Sequence, residues 1–542
     1  MIIIKGNPVS EGLAMGPLRF FDNKPIEVRL EKIADADDET ARFENARQIA
    51  ISELDELYQQ AKEKVGEENA AIFDIHMMML DDLDYRESVT DMIRGQNVNA
   101  EYAVSQTAQK FSNTFRAMDD DYMKERASDV VDVSERLQKA LNQKHHKTIE
   151  LDVPSILAAN DIAPSEAVQL DKDMILGFVT AEGSAVTHTA ILARSMLLPA
   201  VVGTGADITA SFDGKPAILD GFSGTLYIEP DEATIAEMSA KQDELRKRRT
   251  SLELLKDRPD VTLDGTKIEL FVNVSNLSAL DQAIESTAGG IGLFRSEFLY
   301  LESKNYPTED EQFVIYKKVA ERMGGKKVII RTLDIGADKQ ADYFDLPHEE
   351  NPAMGLRAIR ICLTRPEIFK TQLRAIYRAS AFGNIAVMFP MIISAREIGE
   401  VMKISEGVRA DLRRGSIPFN EKIEHGIMIE TPAAVMICDE LAKMVDFFSI
   451  GTNDLTQYTL AVDRQNSGLA DFYDPHHPAV LRMIGMTVKA GHDAGIWVGI
   501  CGELAADVSL TETFLRMGID ELSVSLGMVL PMREKIISLD LR

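Results

Sequence analysis

The second half of the chain alternates short apolar runs with helical segments, and this pattern restricts the fold more than any other feature. Eight such runs occur between residues about 260 and 542, each bounded by turn residues and most of them rich in β-branched or aromatic side chains. Eight strands with βα alternation in this length predict a (β/α)₈ (TIM) barrel within a multidomain α/β protein. The runs are Ile268–Val274, Gly290–Phe294, Lys327–Ile330, Ile385–Met391, Gly426–Ile429, Phe447–Gly451, Ile496–Ile500 and Glu521–Val524.

The first half of the chain has a different pattern of apolar and polar residues. Residues about 31–145 are polar, nearly free of Gly and Pro, and carry apolar side chains at helical spacing, which predicts a helical bundle. The following segment, to about residue 230, contains short apolar runs punctuated by Gly and indicates an α/β unit. The apolar run Met1–Ile4 reads as a strand of that same unit, so the bundle is an insertion. The predicted domains are therefore 1–30 together with 146–230 (α/β), 31–145 (helical), 231–259 (a linker helix) and 260–542 (the barrel).

Composition excludes several classes of function. The chain has 542 residues and a formal net charge of −28, which disfavours nucleic acid and anionic membrane as partners and favours a basic protein. Three cysteines are too few and too scattered for a disulfide framework or a zinc site. The sequence shows no signal peptide and no apolar stretch of roughly 18 residues that could span a bilayer. We therefore expect a cytoplasmic protein.

Charged side chains stand where the predicted strands end, which is where the active site of a (β/α)₈ barrel lies. Arg295 and Arg331 end the second and third runs, and Glu430 ends the fifth. The sixth run leads into Gly451–Asp454, and Arg464 follows in the next loop. Three arginines and two acids at strand ends favour a binding site over a solvated rim, which would carry mixed polar residues and Lys.

These residue types indicate a ligand with more than one anionic group. The planar guanidinium of Arg matches phosphate and carboxylate through paired hydrogen bonds. Two carboxylates, Glu430 and Asp454, suit an anionic ligand only if a divalent cation lies between them, and Mg²⁺ typically takes one or two protein carboxylates plus substrate oxygens. The metal and the arginines would neutralise charge as a phosphoryl group leaves.

The three cysteines differ in their surroundings. Cys501 lies at a strand end between Gly499 and Gly502, where a thiol could protonate an enolate carbon. The alternative is a small residue that fills a tight turn. Cys362 and Cys438 lie in helical apolar patterns and are better interpreted as buried structural thiols.

His188 is the candidate nucleophile among nine histidines. It follows Gly183-Ser184-Ala185 and opens an apolar helical pattern. A histidine at a helix start after a glycine loop presents its ring near the positive end of the helix, which suits a phosphoryl group and keeps a ring nitrogen free. Its position alone leaves a helix-capping role open as well.

Segments spread along the whole chain match those of one known family. The most specific is DFFSIGTNDLTQY (446–458), and the others are GLFRSEFLY (292–300), RTLDIGADK (331–339), NPAMGLRAIR (351–360), GIMIETPAA (426–434) and GICGE (499–503). By these segments the chain resembles the Enzyme I family of the bacterial sugar phosphotransferase system, whose members use phosphoenolpyruvate (PEP). The resemblance runs from end to end of the chain.

The resemblance implies that the phosphoryl group of PEP passes to His188 and then to a histidine of the carrier protein HPr, with release of pyruvate, as the first step of sugar uptake. It implies a catalytic role for Cys501 as the proton donor to the enolate, docking of HPr on the helical zone, homodimerisation through the barrel, and Mg²⁺ (or Mn²⁺) as the cofactor. It assigns PEP binding to Arg295, Arg331, Arg357, Asn453, Asp454 and Arg464, and the metal to Glu430 and Asp454.

The loop before the histidine departs from the family pattern Gly-Gly-x-Thr-x-His. Here Ser184 replaces the second glycine and Val186 removes a hydroxyl two residues before His188, while Thr187 offers one instead. Two alternatives stay open beside the main interpretation. One is a regulatory or nitrogen-branch paralogue of the same system. The other is a PEP synthase-like enzyme, which would need a nucleotide-binding domain although the spare segment has no GxxxxGK[ST] loop.

The predicted nucleophile and the predicted barrel belong to different domains. One histidine would have to reach both the barrel mouth and the carrier protein on the helical zone. We therefore expect a hinge movement about the connections near residues 146 and 230.

Overall fold

The computed structural model forms two compact units, Met1–Arg246 and Lys247–Arg542. The residues that the structure describes are 1–21, 28–65, 67–117, 121–142, 151–162, 171–183, 187–196, 198–336 and 341–542.

The first unit contains an eight-stranded sheet in the order β1-β8-β7-β3-β4-β5-β6-β2. Strand β3 pairs in parallel with β4 and antiparallel with β7, so segments from before and after the helical region belong to one sheet. The strands are β1 Ile2–Lys5, β2 Asn7–Ser10, β3 Leu13–Phe21, β4 Ser155–Ala159, β5 Ile175–Thr180, β6 Ala200–Val202, β7 Pro216–Asp220 and β8 Thr225–Ile228. The sequence pattern did not predict β2 and β3, because Pro8, Gly16 and Pro17 are residues that strands usually avoid.

Helices fill the region between β3 and β4. Within the described residues they are α1 Ala36–Val65, α2 Glu67–Asp81, α3 Leu83–Gln96, α4 Ala100–Arg116 and α5 Asp121–Leu141. Helix α1 buries the apolar positions that the helical spacing had singled out: Phe43, Ala46, Ala50, Leu54, Leu57 and Ala61. This face packs against apolar side chains of α2 to α5, so the helices share one core.

Two further α-helices of this half lie among the described residues, α6 His188–Met196 and α7 Glu232–Glu253. Helix α7 lies within the predicted linker helix, and the division between the two compact units falls inside it. The finer division into four domains stays a prediction. None of the helices in the described ranges combines the length and apolar character needed to cross a bilayer.

The second unit is a closed barrel of eight parallel strands, β9 to β16. The eight predicted runs are confirmed as strands, with ends that move by no more than two residues. Phe447–Gly451, for example, loses its last residue because a helix begins at Thr452. The strands are β9 Glu269–Val274, β10 Gly290–Arg295, β11 Lys327–Arg331, β12 Ile385–Phe389, β13 Glu424–Ile429, β14 Phe447–Ile450, β15 Trp497–Ile500 and β16 Glu521–Val524.

Alternate residues of the barrel strands face opposite sides of the wall. Phe447 belongs to the cluster inside the barrel, whereas Phe448 and Ile450 pack outward with the helices. The helices of this unit are α8 Ser278–Glu285, α9 Phe298–Leu301, α10 Glu309–Arg322, α11 Ile359–Thr364, α12 Pro366–Ala379, α13 Ala395–Arg414, α14 Pro432–Met436, α15 Cys438–Leu441, α16 Thr452–Leu460, α17 Pro478–Ala494, α18 Thr511–Met517 and α19 Val529–Ser538.

Local sequence explains where several of these helices begin. In α13 the Ser394 hydroxyl accepts a hydrogen bond from the Glu397 amide, and the Glu397 carboxylate accepts one from the Ser394 amide. Thr308 and Glu311 form the same reciprocal cap at the start of α10. Such caps satisfy amides that the first helical turn leaves without partners.

Candidate active site

The carboxyl ends of the barrel strands surround a cavity of about 380 Å³. Its walls include Leu293 and Met428, which supply apolar surface among the charged groups. Every barrel residue that the sequence analysis assigned to the site lines this cavity: Arg295, Arg331, Arg357, Glu430, Asn453, Asp454, Arg464 and Cys501. The structure therefore brings together residues that are spread over about 200 positions of the sequence.

The strands fix the positions of these side chains. Arg295 and Arg331 are the last residues of β10 and β11 and are register partners across the two strands. Glu430 directly follows β13, and Asp454 lies in the first turn of α16. The side chains thus converge from the ends of four of the eight strands, β10, β11, β13 and β14, onto one opening.

Two of the arginines are held by buried carboxylates. Arg331 pairs with Glu297 and, at 2.9 Å, with Asp334. Arg357 contacts Asp334 at 3.0 Å and Asp454 at 3.3 Å. Because Asp334 bridges both guanidinium groups, it fixes their separation and restricts their rotation before any ligand binds.

Glu297 and Tyr458 also belong to this network, although the pattern of charges at the strand ends did not indicate them. The Tyr458 hydroxyl accepts a hydrogen bond from Arg357 Nη1 at 3.1 Å, and it donates to the carbonyl of Ala353. Both residues lie inside segments that carry the family resemblance, GLFRSEFLY and DFFSIGTNDLTQY. Their membership of those segments is the signal that could have identified them.

Arg295 differs from Arg331 and Arg357. Burial, together with the neighbouring charges of Arg331 and Arg464, holds its pKa below the usual range. In the part of the chain that the structure describes, no carboxylate forms an ion pair with Arg295, and Arg464 approaches Asp454 only to 3.8 Å. A guanidinium that is surrounded by like charges favours an incoming anion.

Glu430 and Asp454 are the carboxylates of the cavity. Glu430 is fully buried, and burial with the charges of Asp454 and Asp334 raises its pKa to about 8. One of its oxygens accepts a hydrogen bond from the Met391 amide at 2.5 Å. A divalent cation between Glu430 and Asp454 would relieve this repulsion.

The donor set fits a magnesium ion that relies on its substrate for further ligands. Among the described residues, no group of three or more His, Cys, Asp or Glu side chains is arranged as a complete metal site. Mg²⁺ typically takes only one or two protein carboxylates and completes its shell with phosphate oxygens and water. Glu430 and Asp454 supply that number of carboxylates.

Asn453 forms two hydrogen bonds with Glu503, which lies in the loop after β15. Its Nδ2 donates to Glu503 Oε1 at 3.0 Å, and its Oδ1 accepts from the Glu503 amide at 2.8 Å. This pair of hydrogen bonds fixes the loop that carries Cys501 and Gly502 against the start of α16.

The Cys501 thiol is buried at the end of β15. Burial raises the pKa of this thiol to about 12, and the hydroxyl of Ser449 lowers it by a smaller amount. The group therefore carries its proton throughout the neutral pH range. A protonated thiol at the edge of an anion-binding cavity is chemically suited to donate a proton to a carbanion.

The thiols should resist alkylation in the folded protein. Iodoacetamide reacts with the thiolate, and a pKa near 12 reduces the thiolate fraction at about pH 8 by roughly a thousandfold relative to a free cysteine. Burial also raises the pKa of Cys362 and of Cys438. We expect no modification of the three cysteines in native protein and complete modification in concentrated urea, measured by mass spectrometry. Rapid labelling of native Cys501 would contradict the protonated, buried thiol.

His188 is the first residue of α6, in the first compact unit. The preceding Gly183 has a φ of +110°, a conformation that other residues rarely adopt. Residues 184–186, which include the departures at Ser184 and Val186, lie outside the described residues. The position of His188 at a helix start agrees with the prediction from its sequence.

Comparisons with known proteins identify the family. Models described as PEP-utilising enzyme match in three parts: the PEP-binding domain at residues 249–541, the N-terminal part at 5–126 and the mobile domain at 151–224. The phosphoenolpyruvate-protein phosphotransferase of Haemophilus influenzae is 44% identical over 526 residues, which cover 96% of this chain and 92% of the relative.

Two further relatives carry the same name. The protein of Staphylococcus carnosus is 40% identical over 99% of this chain and 94% of its own length. The protein of Bacillus subtilis is 40% identical over 98% of this chain and 94% of its own length. Full-length similarity of this degree, together with the arginine-lined barrel cavity, shows that the chain belongs to the PEP-utilising enzymes, within the family of phosphoenolpyruvate-protein phosphotransferases.

Proposed function

We propose that this enzyme transfers the phosphoryl group of PEP to its own His188 and from there to a histidine of the phosphocarrier HPr, with release of pyruvate. This is the first step of sugar uptake by the phosphotransferase system. The observation that carries the proposal is the cavity at the barrel mouth, where several arginines converge with two carboxylates. PEP carries a phosphate and a carboxylate, and that constellation is complementary to both.

The cavity residues divide into groups that bind and groups that position. Arg295 and Arg464 contact the anionic groups of PEP, because they form only a weak ion pair, or none, with carboxylates of the described residues. Arg331 and Arg357 present guanidinium groups that Asp334 holds in place. Asn453 supplies an amide at the same edge. These groups keep the phosphorus exposed for in-line attack.

The divalent metal is Mg²⁺, with Mn²⁺ as a substitute, held by Glu430 and Asp454. When bound, it neutralises charge on the phosphate and on the developing enolate. The raised pKa of Glu430 arises in part from Asp454, which is the repulsion that a cation would remove.

The chemical step is an in-line displacement. A ring nitrogen of His188 attacks phosphorus, the N–P bond forms, and the bond from phosphorus to the enol oxygen breaks. The enolate then takes a proton at its methylene carbon from the Cys501 thiol, which yields pyruvate and leaves a thiolate. In a second displacement a histidine of HPr takes the phosphoryl group and frees His188.

Carrier docking, assembly and location rest on the family resemblance. We place HPr on the helical region between β3 and β4, and a homodimer contact on the barrel, in a cytoplasmic protein. The nucleophile and the PEP cavity belong to different units, and we infer a hinge movement that lets His188 serve both the barrel mouth and the carrier.

The proposal is tested by incubating the protein with phosphorus-labelled PEP and then adding HPr. We expect label on the protein only when Mg²⁺ or Mn²⁺ is present, and loss of more than about 100-fold in the labelling rate after chelation, because substrate charge is then uncompensated. HPr should remove the label within one turnover. Label that HPr cannot remove would point to a regulatory paralogue or to another carrier.

A further inference from the structure

A buried glutamine on one helix of the barrel unit connects two turns that border the PEP cavity. Gln372 lies in α12 and has no exposed surface. Its Oε1 accepts a hydrogen bond from the Leu333 amide at 2.9 Å, and its Nε2 donates one to the Ser296 hydroxyl at 2.9 Å. Ser296 directly follows β10, and Leu333 lies two residues beyond β11. One side-chain amide therefore bridges the carboxyl ends of two neighbouring strands.

The hydrogen bonds of this glutamine continue into the strand backbone. The Ser296 hydroxyl donates to the Arg331 carbonyl at 2.7 Å. Gln372 Nε2 also donates to the Tyr316 hydroxyl at 3.3 Å. Because a backbone N–H can only donate, the bond from Leu333 fixes which end of the Gln372 amide carries the oxygen. The amide thus has one orientation, and all of its partners are buried.

The pairing of β10 with its neighbours is irregular just before the strand ends. Between Ile291 and Phe294 the register against β11 shifts, because three steps along β10 match two steps along β11. The register against β9 shifts in the same stretch. Such irregularities bend a strand and interrupt its ladder of hydrogen bonds. The contacts of Ser296 therefore restrain the position of Arg295 where the regular ladder is interrupted.

The two turns carry charged groups that shape the PEP site. The turn after β10 contains Glu297 and directly follows Arg295, and the turn after β11 contains Asp334. Both carboxylates pair with Arg331, so the guanidinium of Arg331 is held from two turns at once. If the turns moved apart, this guanidinium could not keep both carboxylates. Its distance from Arg295 would then change as well.

We propose that Gln372 is a positioning residue for PEP, which sets the separation of Arg295 and Arg331 by holding the two turns together. The proposal rests on the proposed function, in which both arginines bind PEP. Gln372 lies behind the cavity wall rather than in it, so it acts through the backbone of the turns and not on the substrate. PEP holds its phosphate and its carboxylate at a nearly fixed distance, and arginines with the wrong spacing therefore bind it poorly.

The test is isothermal titration of the full-length protein with PEP and Mg²⁺, in a His188→Ala parent so that PEP binds without transferring its phosphoryl group. The variant is Gln372→Met, whose side chain has a similar length but no amide. We expect the Kd for PEP to rise by about 10- to 100-fold, because the arginines are displaced. The number of sites per chain should equal that of the parent. Fewer sites with an unchanged Kd would show partial unfolding alone and would overturn the proposal.

The matched control is Gln312→Met in the same parent. Gln312 is a buried glutamine of α10 that forms hydrogen bonds with Pro307, Tyr300 and Tyr316. None of these partners belongs to the turns after β10 and β11. We therefore expect a lower melting temperature from the lost hydrogen bonds but an unchanged Kd for PEP. An equal rise of Kd in both variants would assign the effect to general loss of packing and would overturn the positioning role.

A second variant, Ser296→Ala, keeps the proposal testable if Gln372→Met does not fold. It removes one hydroxyl and so breaks the connection from Gln372 to the Arg331 carbonyl. We expect the Kd for PEP to rise by about 3- to 10-fold with the number of sites unchanged. Parental affinity in Ser296→Ala would contradict the role of this network. If the parent itself bound no PEP, the proposed function would fail instead, so the two failures are distinguishable.

Discussion

Replacing His188 with alanine lowers the rate of pyruvate formation from PEP by at least about 10⁴-fold, because loss of the attacking group leaves only water or a poorer nucleophile. Covalent labelling by PEP falls below detection for the same reason. PEP should still bind, because its cavity lies in the barrel unit, which does not contain residue 188. The effect therefore appears in kcat and in labelling rather than in the affinity for PEP, which isothermal titration with Mg²⁺ measures directly.

The matched control is His492→Ala, which removes an exposed histidine that contacts Asp520 at 2.9 Å. We expect wild-type labelling and turnover from this variant. Retention of label in His188→Ala would show that another histidine is the nucleophile. Loss of PEP binding together with loss of labelling would show that the substitution disturbs the whole protein.

Replacing Arg295 with leucine lowers kcat/KM for PEP by about 10²- to 10³-fold, which is typical for the loss of one charged group that stabilises a transition state. This arginine has no carboxylate partner among the described residues, so its removal leaves no buried acid unpaired. The fold should survive, unlike after removal of Arg331, whose partners Glu297 and Asp334 are buried.

Steady-state kinetics with PEP as the varied substrate test this prediction, and thermal denaturation tests the fold. Arg396→Leu is the control, because the Arg396 side chain is 80% exposed and its ion-pair partner Glu400 lies 3.9 Å away. We expect little change in either kcat/KM or melting temperature from that variant. An Arg295→Leu enzyme with wild-type kcat/KM would remove Arg295 from the PEP site.

The barrel could be predicted from the sequence because neighbouring residues determine each of its strands and helices. Each strand is a short apolar run bounded by turn residues, and some of the helices between them carry their own caps. The charged residues at the strand ends followed from the same pattern, since parallel strands of a barrel place their carboxyl ends on one face. Arg357 is the exception: it lies between strands, and only the family resemblance indicated it.

The partners that hold the site together could not be predicted from local pattern. Glu297 and Tyr458 form hydrogen bonds with arginines that lie 34 and 101 positions away in the chain. The hydrophobic periodicity of a sequence does not indicate pairs of residues that are so far apart. Strands β2 and β3 were missed because Pro8, Gly16 and Pro17 break the apolar pattern while tertiary pairing still extends the chain.

Phosphorylation of His188 itself by PEP is the step on which the proposed function depends. The most direct test is to incubate wild-type protein with Mg²⁺ and PEP, digest it under alkaline conditions that preserve phosphohistidine, and locate the phosphoryl group by mass spectrometry, with pyruvate measured in the same sample. We expect one phosphoryl group per chain, on His188, and one pyruvate released for each. Phosphate on any other residue, or pyruvate formed without a phosphorylated protein, would contradict it.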